Sequence, residues 1–372
     1  MPPSPAAVLE WAAPVPRPLR VLDVTVWYGA RSGGIRTYLD AKARVAAETG
    51  AFEHHVALPA AHERHSGGRH ELAGVLVSRA NDYRMPVEPR SLLRTLRALR
   101  PDVVLLHDPF WWPASVVAEA HRLGATVIAV HHGSAAAGAL GRRGPTRIWH
   151  AALSASQRRL YERADAVMAF GAAPREAGGA PILKLRYGVD PEFRPNWFLP
   201  PRRHVLYVGR LAPEKGVDLL LDALARTTAR RALRLVGSGP AERALRRHAE
   251  RLGIRDRVSF DPFIADRAAL ARAYAEAACV VVPGAHETFG LVALEAAASG
   301  AVVLASDAVP AACQARRLIR TFPAGDAAAL ARALDNQAGE PVNRAAAEAL
   351  GRRFTWRRAI AAEHNEIRAL CG

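Results

Sequence analysis

From residue 20 to residue 353, short apolar runs alternate with stretches of helical spacing, an order that few folds accommodate. Apolar runs without internal alternation bury both faces, as parallel strands do, and parallel neighbours need a crossover, usually a helix, between them. In the first half, strands are expected near 20–27, 54–58, 74–78, 103–107, 126–131, 166–170 and 182–186. Helices are expected at 34–48, 90–99, 114–123, 145–163 and 173–177. The Pro- and Arg-rich RYGVDPEFRPNWFLPPRR (186–203) interrupts the pattern, which then restarts. The second set of strands falls near 204–209, 232–237, 257–261, 279–283, 301–305 and 318–322. Its helices fall at 215–228, 240–252, 266–277, 290–299, 326–337 and 341–353. The expected class is α/β, with two Rossmann-like, doubly wound halves on a stiff linker and a ligand crevice at the carboxyl ends of the strands.

A length of 372 residues fits two domains, and an apolar half of the composition suffices for two cores. No apolar run approaches the ~18 residues a membrane-spanning helix needs. The N-terminal MPPSPAAVLEWAAPVPRPLR has no charged start ahead of an apolar core, so no secretory leader is expected. Cys279, Cys313 and Cys371 are scattered, as in a protein of a reducing compartment, and a cytoplasmic location is expected. A net charge of +16 favours anionic partners, although a chain that uses Arg freely reaches such a value without one. Only Lys42, Lys184 and Lys215 are lysines, so each marks a place where a compact charge has been kept.

The chemistry gathers in the second half. HETFGLVALE (286–295) puts Glu287 on a strand-to-helix loop and Glu295 inside an apolar helix, on the order of 10 Å apart. A carboxylate buried without a partner is expensive, so both acids need one. GRLAPEKG (209–216) lets Arg210 and Lys215 converge on one anion at a strand end, with a helix N-terminus beyond to add backbone donors. VGSGP (236–240) is a glycine-rich turn in which Gly237 lets backbone approach a flat ligand such as a base. GARSGGIRTY (29–38), with Gly33 and Gly34, is the corresponding turn after the first strand. Neither turn carries G-x-G-x-x-G, which disfavours a dinucleotide enzyme. AHERHSGGRH (61–70) fits no metal-ligand spacing and reads as a solvated loop.

GRLAPEKG, VGSGP and HETFGLVALEAAASG, in that order, resemble the retaining glycosyltransferases of family 4, whose fold is GT-B and whose hallmark is an E-x7-E pair, here Glu287 and Glu295. RYGVDPEFRP looks like that family's interdomain linker and FTWRRAIAAEHNEI (354–367) like its last helix; SGGIRTYL and PDVVLLHDP match more loosely. The resemblance implies an extension (1–18), an acceptor-side domain (19–187), a linker (188–203), a donor domain (204–353) and a terminal helix packed back across them (354–372). It implies that Arg210 and Lys215 hold a donor diphosphate, that backbone around Phe289, Gly290 and Leu291 meets sugar or phosphate, that Glu287 orients the sugar and that Glu295 accepts from ribose hydroxyls. Pairing of Glu295 with an arginine of a neighbouring helix is the alternative. Gly33 and Gly34 would bring N–H groups toward the diphosphate. In TVIAVHHG (126–133), counting along the strand selects His131 to face the donor sugar, with His132 as the alternative, and His107 and Asp108 would reach the acceptor.

The implied reaction is hexose transfer from a nucleotide sugar to a lipid, saccharide or natural-product hydroxyl with retention. The chain has no Asp-x-Asp, so Arg210 and Lys215 would replace a metal, and no cofactor or metal is expected. After Glu295 the family carries Gly-Thr-Pro-Val and a Gly-Gly loop ending in Pro-Glu, where this chain reads SGAVVLASDAVPAACQA. The stripe of Arg90, Arg94, Arg97 and Arg100, with PFWWP (109–113), RRGPTR (142–147) and QRRLYER (157–163), suggests peripheral contact with an anionic inner membrane face. The alternatives are a sugar-nucleotide isomerase of the same fold and a basic polyanion-binding protein. Specific nucleic-acid recognition is not expected, because no recognition motif occurs.

Overall fold

The computed structural model describes residues 17–29, 33–78, 83–132, 145–171, 174, 177–196, 204–336 and 343–372. The first domain runs β1 (Leu19–Val24), α1 (Gly34–Thr49), β2 (Phe52–Ala60), β3 (Arg64–Ser66), β4 (Arg69–Ser78), β5 (Tyr83–Pro86), α2 (Arg90–Leu99) and β6 (Val103–Leu106). It continues with α3 (Pro113–Arg122), β7 (Thr126–His131), α4 (Pro145–Arg163), β8 (Ala166–Ala169) and β9 (Ile182–Lys184). The second runs β10 (His204–Val208), α5 (Val217–Arg226), β11 (Ala232–Val236), α6 (Glu242–Arg251), β12 (Val258–Asp261), α7 (Arg267–Glu276) and β13 (Cys279–Val282). Then come α8 (Leu291–Ala298), β14 (Val303–Ser306), α9 (Pro310–Gln314), β15 (Ile319–Phe322), α10 (Ala327–Asp335), α11 (Arg344–Arg353) and α12 (Trp356–Cys371).

One sheet is ordered β3-β4-β2-β1-β6-β7-β8-β9, with β5 on β4, and the other β12-β11-β10-β13-β14-β15. Every pairing is parallel except β3 with β4 and β4 with β5. The chain order doubles back at β1/β6 in the first sheet and at β10/β13 in the second, the switch points where ligand crevices open. The interior parallel strands β6, β8, β13 and β14 are buried on both faces, as continuous apolar runs such as VVLL of β6 and CVVV of β13 require.

Two local expectations change. The histidine-rich segment is not a loop: β3 and β4 form an antiparallel hairpin on which His65 lies 3.0 Å from His70, and His70 lies 3.1 Å from His55 of the neighbouring β2. The strand β5 on the outer side of β4 was not expected, because short polar edge strands lack the apolar run that marks an interior one. The helix expected at 173–177 and the extension at 1–18 lie largely outside the described residues.

The linker and the last helix tie the halves together. Val189 pairs with Thr355 as an isolated bridge, and its N–H donates to the Phe354 carbonyl at 2.7 Å. Beyond it α12 returns to the first domain, where Glu366 takes the Arg186 guanidinium at 2.5 Å and the Lys184 N–H at 2.8 Å. Tyr38 of α1 donates its hydroxyl to Glu363 at 2.6 Å. One continuous buried cluster runs from Val21 and Leu39 through Tyr187 and Trp356 to Phe289 and Leu294, so both domains share a core at the hinge.

Candidate active site

Arg210 and Lys215 sit where the strand ends put them. β10 closes at Val208, and the turn after it carries Arg210, then a single 3-10 turn over Pro213–Lys215. Lys215 Nζ lies 2.7 Å from Glu287 Oε1, so the loops after β10 and β13 meet through opposite charges. Arg210 pairs with Glu214, one helical turn on. Both pairs stay partly exposed, with Lys215 at 26% and Arg210 at 45%. An incoming anion can therefore share these cations without first stripping them from the core.

Glycines at this crevice serve backbone proximity. Gly237 has φ +139°, and a Cβ there would stand 2.0 Å from the Gly209 carbonyl oxygen. The turns after β10 and β11 are laced by Leu211 N–H to the Ser238 carbonyl and Ala241 N–H to the Leu211 carbonyl. Glycine at 237 is thus required by the packing of the neighbouring turn, whether or not a base also approaches this backbone. Gly290, at φ +87°, caps α8, and a Cβ there would meet Val309 Cγ1 at 2.3 Å. The divergent loop after β14 is thereby seated on the E-x7-E segment: Val309 is fully buried, and Ala311 N–H donates to the Phe289 carbonyl at 2.8 Å. Leu291 begins α8, whose first N–H groups have no partner within the helix. The Phe289 ring stacks on Phe170 of the first domain at 4.8 Å between centroids and packs edge-on against Tyr187.

Glu295 departs from its expected role. Its carboxylate is 3% exposed; Oε1 takes the Arg267 guanidinium at 2.5 Å and Oε2 the Tyr274 hydroxyl at 3.2 Å. Burial pushes the carboxyl above its usual pKa, with the Arg267 charge opposing. Arg267 also binds Asp190 of the linker at 2.8 Å, and Asp190 binds Arg44 of α1 at 2.7 Å. The pairing with an arginine of a neighbouring helix is the arrangement found, and the acid anchors α7 to α8 and the hinge. Replacing Glu295 by Gln is expected to lower unfolding stability by about 1.5–3 kcal/mol through loss of a charged hydrogen bond. A urea midpoint equal to wild type, together with a weakened nucleotide affinity, would return Glu295 to the ribose.

On the first domain, His131 and His132 diverge. His131 Nδ1 is 2.7 Å from the Tyr161 hydroxyl, on the α4 side of the sheet. The His132 backbone contacts the second domain: its carbonyl accepts the Thr288 hydroxyl at 2.6 Å, next in sequence to Glu287. His131 is thereby held toward α4, and of the two histidines it is His132 whose backbone touches the second domain. Burial, with the His107 and His131 rings nearby, holds the His132 pKa well below the ordinary imidazole value, so the ring is neutral.

His107 and Asp108 are buried, 3% and 5% exposed, and both are engaged by protein groups. His107 lies between Asp23 and His132, 2.7 Å from each. Asp108 receives the N–H groups of Val26 at 2.8 Å and Phe110 at 3.2 Å, and burial pushes its carboxyl up to about 6. Gly33 precedes α1 and Gly34 begins it, where a Cβ on Gly34 would rest 3.5 Å from the Tyr187 ring of the hinge. Asp23, Asp190, Arg267 and Thr288 were not anticipated, although a charged residue inside the apolar run VLDVTV was a visible signal for Asp23. The arginines of α2 do not form a bare stripe: Arg94 binds Glu63 at 3.2 Å, Arg97 binds Glu119 at 2.7 Å and Arg90 lies 3.6 Å from Glu88. No described helix is long and apolar enough to cross a membrane.

Residues 202–338 match the family described as "Glycosyl transferases group 1", and residues 32–177 match "Glycosyltransferase Family 4". A GDP-mannose-dependent alpha-(1-6)-phosphatidylinositol dimannoside mannosyltransferase of Mycobacterium tuberculosis is 31% identical over 376 residues, covering 92% of this chain and 94% of its own. A D-inositol 3-phosphate glycosyltransferase of Rhodococcus opacus is 34% identical over 236 residues, 55% of this chain and 52% of its own. Among solved structures, sucrose-phosphate synthase from Thermosynechococcus elongatus superposes with a TM-score of 0.73 at 20% identity, covering 94% of this chain and 98% of its own. Anabaena HepE in complex with UDP and glucose does so at 0.69 and 17%, covering 94% and 100%. At such identities the structures speak to the fold alone.

Proposed function

The chain belongs to glycosyltransferase family 4, and on that premise we propose that it transfers a hexose from a nucleotide sugar to an acceptor hydroxyl, with retention and without a metal ion. Its two parallel-sheet domains are the GT-B fold. The observation that carries the reading is the meeting of Lys215 and Glu287 at the carboxyl ends of β10 and β13, directly across from His132.

The chemistry follows from that placement. When the bond between the anomeric carbon and the diphosphate oxygen breaks, negative charge grows on the leaving group. Lys215 and Arg210 are already in position to meet it, and the N-terminus of α8 adds oriented N–H groups, so little reorganisation accompanies the step. Their fixed positive charge is what makes a metal unnecessary in this proposal. Glu287, anchored by Lys215, turns its other oxygen toward sugar hydroxyls. The acceptor oxygen attacks on the face the diphosphate leaves, and its proton passes to the departing phosphate oxygen. Atoms and charge balance without a protein nucleophile.

The donor to test first is GDP-mannose, since the full-length relative at 31% identity is named for it, and the acceptor class to test first is a lipid-linked inositol glycoside. The isomerase and polyanion alternatives draw no support from the matched families. A thermal-shift screen of GDP, UDP, ADP and dTDP and their sugars, with and without Mg²⁺, reads binding to the folded state as a rise in melting temperature. One selective shift that persists in chelator, followed by an α-linked product from an α-linked donor, is the expected result. An inverted product, a shift that requires Mg²⁺ or no shift with any nucleotide would overturn the proposal at the corresponding point.

A further inference from the structure

Behind His132 lies a line of buried polar groups that the transfer chemistry above does not use. His132 Nε2 is 2.7 Å from His107 Nδ1, and His107 Nε2 is 2.7 Å from Asp23 Oδ1. The two rings stack at 5.0 Å between centroids with an interplanar angle of 15°. Asp23 is fully buried in β1; its carboxylate also meets Lys42 Nζ at 3.0 Å and His54 Nε2 at 2.9 Å. Burial works against its charge, but the Lys42 ammonium and the hydrogen bonds from His107 and His54 hold the carboxyl well below the usual carboxylate range. Lys42 is in turn shared with Glu363 of α12 at 2.9 Å.

The chain of acceptors has one consistent direction. An ionised carboxylate only accepts, so His107 Nε2 carries hydrogen and donates to Asp23. With its hydrogen on Nε2 alone, His107 has a bare Nδ1, which accepts, so His132 donates from Nε2. A neutral His132 is left with a lone pair on Nδ1 and no hydrogen there. That atom is buried and has no hydrogen-bond partner among the described residues. It lies on the Cβ side of the ring, next to the backbone that Thr288 holds at 2.6 Å across the cleft. Buried polar atoms are seldom left unpaired, so this lone pair is suited to accept from a bound hydroxyl.

We infer that Asp23 and His107 are positioning residues that lock His132 in the tautomer whose Nδ1 accepts a hydroxyl hydrogen from the transferred sugar. The inference rests on the donor-site reading above. It adds a selection rule: a donor sugar without a hydroxyl at that point leaves Nδ1 unpaired and is used poorly. A doubly protonated His107 would reverse the second hydrogen bond.

The test reads the tautomers directly. In the full-length protein labelled with ¹⁵N-histidine, two-bond ¹H–¹⁵N spectra are expected to show His107 and His132 both neutral and both protonated on Nε2. Hydrogen on His132 Nδ1 in wild type would overturn the relay whatever the variants do. Asp23→Asn removes the fixed acceptor yet leaves Lys42 balanced by Glu363, so the fold is expected to persist. In that variant the His132 Nε2–H population should fall, and kcat/KM for the nucleotide sugar should drop about 10- to 100-fold. Affinity for the nucleoside diphosphate alone should not change. An equal loss of diphosphate affinity, or unaltered kcat/KM with altered tautomers, would reduce Asp23 to a structural role and overturn the inference. If wild type turns over no nucleotide sugar, the sugar contact fails with the functional reading. The wild-type spectrum still decides the tautomers, so the two failures are told apart.

Discussion

Lys215→Ala is expected to lower kcat about 100- to 1,000-fold, the loss typical of removing one preorganised group that meets developing negative charge. Thermal unfolding should be nearly unchanged, because Lys215 is 26% exposed and lies on a short turn outside both cores. Part of the loss has a second origin. Without the ammonium, the Glu287 carboxylate faces the diphosphate unneutralised and repels it. The double variant Lys215→Ala with Glu287→Gln removes that repulsion and should regain part of the lost diphosphate affinity but none of the kcat, because Glu287 also orients the sugar. Lys215→Arg should retain more activity than Lys215→Ala but less than wild type, since a planar fork does not replace a compact charge. Steady-state turnover of the donor selected by thermal shift measures all three. A Lys215→Ala enzyme within threefold of wild-type kcat would end the assignment of this crevice to the leaving group.

Much of the fold was legible because parallel sheets write themselves plainly. Runs such as VVLL and CVVV have one physical use, burial on both faces, and the helices between them have one amphipathic period each. The elements that escaped are those whose stability is not local. β3 and β5 are short, polar and held by the edge of β4, so nothing in their own residues distinguishes them from loops. The hinge is similar: Val189 and Thr355 pair across more than a hundred residues, and only the finished core brings them together.

At the site, residues with a single partner were easier to foresee than residues with several. Arg210 and Lys215 lie on one turn, as their spacing requires, but each is paired with its own carboxylate, Glu214 and Glu287, which spacing does not encode. Glu295 could be seen to need a partner, but the choice between a ligand and Arg267 depends on where α7 packs, which spacing does not encode. His131 and His132 differ by one position, and the face each ring takes is decided by where β7 ends. Lys42 is the instructive case. The scarcity of lysine marked it as a position where a compact charge matters, yet its purpose appears only when β1, α1 and α12 are assembled around it.

That assembly leads to the largest expected effect on stability. Lys42 is 2% exposed and joins Asp23 at 3.0 Å to Glu363 at 2.9 Å, with the Tyr38 hydroxyl at 3.2 Å. Burial disfavours its charge, but the two carboxylates raise its pKa above the ordinary lysine value. Lys42→Ala leaves two acids in the core without their cation, and such unpaired charges typically cost about 3–5 kcal/mol. The sign of the pH response follows. In wild type the depressed Asp23 pKa contributes stability that is complete above about pH 4 and lost only as pH falls through its lower folded value. The raised Lys42 pKa contributes stability present below its unfolded value near 10.5 and lost at higher pH. In Lys42→Ala the ammonium no longer opposes burial, so the folded Asp23 pKa rises and the variant is penalised while that carboxylate is ionised. The stability gap to wild type should therefore be widest near pH 7 and narrow as the pH falls toward 4. Urea unfolding across that range measures it. The triple variant Lys42→Met, Asp23→Asn, Glu363→Gln removes charge from all three positions and should regain most of the loss, because a neutral buried set often matches a paired one. A gap that stays constant with pH, or a triple variant no more stable than Lys42→Ala, would mean that the lysine stabilises this core by filling space rather than by its charge.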